Sequence, residues 1–200
     1  MTTNAPIEFW FDFASPYAWL ASARIEGVGT RCGRAVVWRP MLLGVVFRET
    51  GMTPLADQPM RSTYARHDVA RLAHRFGLPF ATVFAPPGTS LTLGRIFYAI
   101  AAASSAEAAR FAREAFEACF GRGEDLSQVA AARAFARRLG HVAADAAEAS
   151  EGQPARAAMR DATAEAIRRG IFGSPFFLVG DEPFWGQDRL PLLESWLGGE

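Results

Sequence analysis

Ile7-Glu8-Phe9-Trp10-Phe11-Asp12-Phe13-Ala14-Ser15-Pro16-Tyr17 is a stretch in which an alternating apolar strand stops and a helix begins. Ile7, Phe9, Phe11 and Phe13 recur at every second residue and so share one face of an extended segment. Ser15 followed by Pro16 reads as an N-cap with proline at the first helical position, where the missing N–H costs nothing. The junction thus presents a serine hydroxyl at a helix start, at the end of a buried strand. Such a start carries about half a positive charge and unpaired N–H groups, so it favours an anion, for example a thiolate held by Ser15. Chemistry on sulfur is one reading. A serine that only caps its helix is the other, and these residues alone leave both open.

The rest of the chain sets the frame for that choice. Its 200 residues, half of them apolar and 16 of them Phe, allow a substantial core in one domain, or in one domain with a large insertion. The 21 basic and 21 acidic residues cancel, which argues against nucleic acid or an anionic membrane as partner. No apolar run approaches the roughly 18 residues of a membrane span. Met1-Thr2-Thr3-Asn4-Ala5-Pro6 lacks the basic and apolar regions of a signal peptide, so the expected location is the cytoplasm. Cys32 and Cys119 lie far apart and form no Cys-x-x-Cys pair, so nothing requires a disulfide framework. Every basic residue is arginine, a compositional skew that lowers the weight of any single one.

Ala35 to Arg39 forms a second strand-like run closed by Pro40, giving a strand, helix, strand unit long enough for a right-handed parallel crossover. From about Thr53 to Arg169 the period turns helical. Ala65, Val69, Leu72 and Phe76 make a stripe ended by Gly77, Ser105 is a candidate cap for a segment with Phe111, Ala115 and Cys119, and Ser127 for one that stops at Gly140. A last helical run starts near Pro154 and ends at Gly170. Phe176 to Val179, a turn at Gly180-Asp181-Glu182-Pro183, and Phe184-Trp185 then predict a hairpin, and Leu190 to Leu197 a closing helix. This is the element order of an α/β thioredoxin-like fold. Residues 1–52 and 170–200 would form the discontinuous thioredoxin-like domain, and 53–169 an all-helical insertion.

Three groups of residues agree with that topology. They are Phe11-Asp12-Phe13-Ala14-Ser15-Pro16-Tyr17; Pro59-Met60-Arg61-Ser62-Thr63-Tyr64 with Asp68-Val69-Ala70-Arg71; and Gly170-Ile171-Phe172-Gly173-Ser174-Pro175 with Phe184-Trp185-Gly186-Gln187-Asp188-Arg189-Leu190. Together they resemble the 2-hydroxychromene-2-carboxylate isomerase family and its relatives, the kappa-class glutathione transferases, over nearly the whole chain. Disulfide oxidoreductases of this fold place Cys-x-x-Cys where this chain has Ser15-Pro16-Tyr17-Ala18, so two-cysteine exchange is excluded at this site.

The resemblance implies glutathione as cofactor, its thiolate held by Ser15. A charged hydrogen bond of about 1.5 to 3 kcal/mol, with roughly 0.3 to 1 more from the helix start, would bring a thiol from near 8.5 to about 7. It also implies a cis bond at Ser174-Pro175 that aims the Ser174 backbone at glutathione, Gln187 and Asp188 on the γ-glutamyl end, and Arg61, where the kappa pattern has lysine, on the glycine carboxylate. The implied activity is a glutathione-dependent cis-trans isomerisation in aromatic compound degradation. It interconverts 2-hydroxychromene-2-carboxylate-type hemiketals and trans-o-hydroxybenzylidenepyruvate-type products, so the partner is a small aromatic carboxylate, and a homodimer is expected. Conjugation by a kappa-like transferase and a noncatalytic, chaperone-like thioredoxin-fold protein are the alternatives. The family's Gly-Asn-x-Pro and Phe-Pro-x-Asn segments depart here to Gly51-Met52-Thr53-Pro54 and Ala85-Pro86-Pro87-Gly88-Thr89-Ser90, replacing two amides by Met52 and Thr89. His67 and His74 share a helix face among arginines and lack a third ligand, so no metal is expected.

Overall fold

The computed structural model describes residues 4–198. Residues 1–3, part of the stretch read for a signal peptide, and 199–200, the end of the expected C-terminal segment, lie outside the described residues. Strand β1 (Ile7–Phe11) leads through helices α1 (Pro16–Ser22) and α2 (Ile25–Arg31) into β2 (Val36–Pro40), and α3 (Leu43–Thr50) follows. Helices α4 (Pro59–Phe76), α5 (Thr89–Ala101), α6 (Ser105–Phe116), α7 (Val129–Arg138), α8 (His141–Ala149) and α9 (Gln153–Arg168) make up the middle of the chain. Strands β3 (Phe176–Val179) and β4 (Glu182–Trp185) and helix α10 (Leu190–Gly198) close it.

The sheet order is β2-β1-β3-β4, with β1 parallel to β2 and antiparallel to β3. Its central strand is therefore completed by a partner from the far end of the sequence. Ile7, Phe9 and Phe11 do share a face, and the Phe9 and Phe11 rings pack on Trp38, Phe97, Phe116 and Phe177 under α1, α5 and α6. Phe13 lies beyond the end of β1, with its ring edge-on to Phe11. The residue between, Trp10, is equally buried, on the opposite face, with Met41, Val46, Phe176 and Leu178 against α3 and α9. Helices thus cover both faces, and each fully buried ring contributes about 1.5 to 3 kcal/mol of apolar transfer. Alternation alone shows only the first of those faces.

Three boundaries differ from expectation for local reasons. The hydroxyl that caps α6 belongs to Ser104, which accepts from the Glu107 N–H (3.2 Å), leaving Ser105 inside the first turn. Ser127 does not cap α7: Gln128 holds that place, while the Ser127 carbonyl accepts from Thr92 (2.9 Å). Finally, β4 begins at Glu182, so the turn is shorter than predicted. Pro183 is accommodated because β4 is an edge strand, where a missing donor leaves no partner unpaired.

Candidate active site

The end of β1, the starts of α1, α3 and α5, the α4 face and the loops around β3 and β4 enclose a cavity of about 1240 Å³. Ser15, Arg61, Ser174, Pro175, Gln187 and Asp188, singled out from sequence, all border it. So does Met52, whereas Thr89 does not. Thr89 is fully buried and its hydroxyl donates to the Pro86 carbonyl (2.7 Å) inside the first turn of α5, while its neighbour Ser90 faces the cavity. Gly88, at φ 94°, supplies the left-handed entry to that helix.

Ser15 is the N-cap of α1: its Oγ accepts from the Ala18 N–H (3.2 Å), and Pro16 opens the helix. Its proton is also taken, by the Ser174 carbonyl oxygen at 2.9 Å. The Ser174 hydroxyl in turn accepts from the Asp12 N–H (2.9 Å), and the Asp12 carbonyl accepts from the Ser15 N–H (3.0 Å). Asp12, Ser15 and Ser174 therefore form a closed hydrogen-bonded ring. The Ser174-Pro175 peptide is cis. Helix α1 spans seven residues, so its aligned dipoles are few and more of any anion stabilisation falls on the hydroxyls.

Beneath this ring the Asp12 carboxylate accepts from the Ala14 N–H (2.7 Å), the Leu43 N–H (2.7 Å) and the Ser90 hydroxyl. Burial pushes its pKa up despite those three donors. One side chain so fastens the turn before α1, the start of α3 and the start of α5. The sequence did signal it, as a lone carboxylate between Phe11 and Phe13, but its partners are too distant along the chain to be read.

On the rim, the Arg61 guanidinium donates to Gln58 Oε1 (3.0 Å) and pairs with no carboxylate among the described residues. Gln187 is buried, with Oε1 accepting from Arg24 (3.0 Å), whose guanidinium lies over the Phe76 ring at 4.3 Å. Arg24 thus orients Gln187, a role hidden in a chain with 21 arginines. Asp188 is exposed, 3.5 Å from Arg189. Tyr17 donates to Asp68 (3.0 Å) and ties α1 to α4, and burial beside that carboxylate raises the Tyr17 pKa. The remaining wall is apolar, with Leu43, Phe47, Met52, Leu55, Phe84 and Trp185. A polar floor with hydroxyl donors and an apolar chamber above it suits a polar thiol compound together with an aromatic one.

Comparison with known proteins agrees with this architecture. The family model of the DsbA-like thioredoxin domain matches residues 6–198. A curated 2-hydroxychromene-2-carboxylate isomerase from Pseudomonas putida is 30% identical over 196 residues, covering 96% of this chain and 94% of that protein. The solved structure of a 2-hydroxychromene-2-carboxylate isomerase superposes with a TM-score of 0.86 at 28% identity, over 96% of this chain and 94% of the other. Glutathione S-transferase kappa 1 from Rattus norvegicus is 23% identical over 215 residues, 96% of this chain and 92% of that protein. Matched along nearly its whole length by both a domain family and an enzyme, the chain belongs to the DsbA-like thioredoxin-domain family and groups there with the 2-hydroxychromene-2-carboxylate isomerases.

Proposed function

We propose that this protein is a glutathione-dependent isomerase acting on 2-hydroxychromene-2-carboxylate-type hemiketals and their trans-o-hydroxybenzylidenepyruvate-type products. The observation that carries the reading is a serine, Ser15, at the helix start where a disulfide exchanger needs cysteine, on the floor of a large and partly apolar cavity. A site without its own sulfur must borrow one.

The donor set fits glutathione. The Arg61 guanidinium, free of carboxylates among the described residues, suits its glycine carboxylate; the exposed Asp188 suits its ammonium; Gln187 and the Ser174-Pro175 backbone border the same cavity. When bound, glutathione supplies a nucleophilic sulfur whose reversible addition to a conjugated double bond allows rotation about that bond. Ser15 holds the sulfur in its ionised form by turning its proton away from the Ser174 carbonyl. That exchange replaces a neutral hydrogen bond by a charged one, so its net worth is about 1 kcal/mol, under one pKa unit. The aromatic body of the substrate packs against Phe47, Phe84 and Trp185, which line the apolar part of the cavity.

Calorimetric titration with glutathione at neutral pH tests the reading. One-to-one saturable binding, with isomerisation of the chromene carboxylate and no stoichiometric glutathione adduct, is expected. Accumulating adduct would assign the site to kappa-like conjugation, and no binding up to millimolar glutathione would leave a noncatalytic thioredoxin-fold protein. Ser15→Ala should lower turnover more at neutral than at alkaline pH, because alkali supplies thiolate unaided.

A further inference from the structure

The ring of Asp12, Ser15 and Ser174 contains two hydroxyls but only one that is already donating. Ser15 gives its proton to the Ser174 carbonyl at 2.9 Å. Ser174 Oγ receives the Asp12 N–H at 2.9 Å, and its own proton has no acceptor among the described residues. An amide N–H can only donate, so this contact fixes Ser174 Oγ as acceptor there and leaves its O–H to point elsewhere. Ser174 is half-buried and borders the cavity beside Ser15. A hydroxyl held by a backbone donor, with an unpaired proton at a cavity wall, is a preorganised donor for an anion.

We infer that the Ser174 hydroxyl donates its proton to the sulfur of the bound thiolate, as a second catalytic hydroxyl beside Ser15, a role that rests on the glutathione reading above. The thiol proton leaves to solvent, and both hydroxyls then face the charge. Donation by Ser15 breaks an existing bond, whereas donation by Ser174 breaks none, so Ser174 carries the larger share. Such a charge-assisted bond corresponds to about one to two pKa units, or about ten- to a hundredfold more thiolate at a fixed pH below the pKa. The charged and titratable groups that border the cavity are Asp12 from the end of β1, Tyr17, Arg61, Tyr64 and Asp68 from α1 and α4, and Asp188 and Arg189 before α10; of these only Asp12 bonds to either serine, through its backbone.

The test is the ultraviolet thiolate absorbance of glutathione bound to wild type, Ser174→Ala, Ser174→Thr, Ser174→Val and Ser15→Ala, followed against pH. The bound thiol of Ser174→Ala should titrate about one to two units higher. Ser174→Thr should restore the wild-type value, and Ser15→Ala should shift it less than Ser174→Ala does. Should Ser174→Ala fail to fold, the nearly isosteric Thr and Val variants give the same comparison. An unchanged titration in Ser174→Ala or Ser174→Val, even with weaker binding or a lower Tm, would mean a structural serine and overturn the inference alone. Absence of a bound thiolate band in wild type would overturn it together with the glutathione reading.

Discussion

Asp12 concentrates the tension between folding and chemistry at a single residue. Ser90, Ala14 and Leu43 all donate to its carboxylate, yet burial outweighs them and holds the group above its ordinary 3.8. A carboxyl raised on folding contributes stability that is full below the unfolded value and is lost as pH rises through the folded one. Chemical unfolding of wild type and Asp12→Asn from acid to neutral pH should therefore show wild type losing ground against the variant as pH rises. A constant difference would mean that the carboxyl ionises as readily inside as outside. At this scale the sequence was legible where chemistry is local. Ser15 caps its own helix through Ala18, three residues on, and the N-cap pattern says so. The Ser15 proton goes to Ser174, 159 residues away, and the Asp12 carboxylate to Ser90, 78 away; no spacing rule reports such partners. Thr89 was a near miss of another kind. The first turn of α5 points its hydroxyl back to Pro86 and turns the next residue to the cavity.

Among the elements, α4 forms one side of the cavity, and a side-chain hydrogen bond ties it to α1. Tyr17 from α1 donates to Asp68, which also accepts from Tyr64 (3.4 Å) and Arg71 (3.4 Å). Tyr17→Phe leaves Asp68 with two donors, so the cost in stability should fall near the low end of about 0.5 to 1.5 kcal/mol. The local effect should be larger: hydrogen exchange over 59–72 is expected to accelerate while the β1 amides stay protected. The loop into β3 is tighter. A side chain at Gly173 would run into the Trp185 indole, which itself packs edge-on to Phe172 at 4.8 Å. Gly173→Ala should displace that ring, lower the Tm and weaken glutathione binding more than Ser174→Ala does, a comparison that calorimetry settles. Helices and strands were readable as elements because their periods are strong, and the errors sat at their ends, at Ser104, Gln128 and Glu182.

Across the whole molecule, one apolar cluster runs from the β1–β2 side of the sheet through α1, α5, α6 and α7. The fold class followed from element order; the second buried face, with Trp10 and Met41, did not, because a central strand covered on both sides loses its clean alternation. No helix among the described residues is long and apolar enough to cross a membrane. Ser15 and Ala18 stand where a disulfide exchanger of this fold needs its two cysteines, so insulin reduction by dithiothreitol should proceed at the same rate with and without the protein. Cys119 is buried and its thiol is pushed up to about 12, so alkylation should reach it only at the rate of opening of the core.

The sheet order also governs how the molecule comes into being. β1 has its partner β2 once about forty residues exist, but its other edge waits for β3, whose residues 176–179 are made more than 160 residues after β1. At roughly 5 to 20 residues per second, that edge stays unpaired for about ten to thirty seconds of synthesis. During that interval the nascent chain offers the aromatic strand Ile7–Phe11 to any neighbouring strand, and Ser15 has no Ser174 to meet. Nascent chains arrested before residue 170 should engage chaperones, and those extended past β4 should be released.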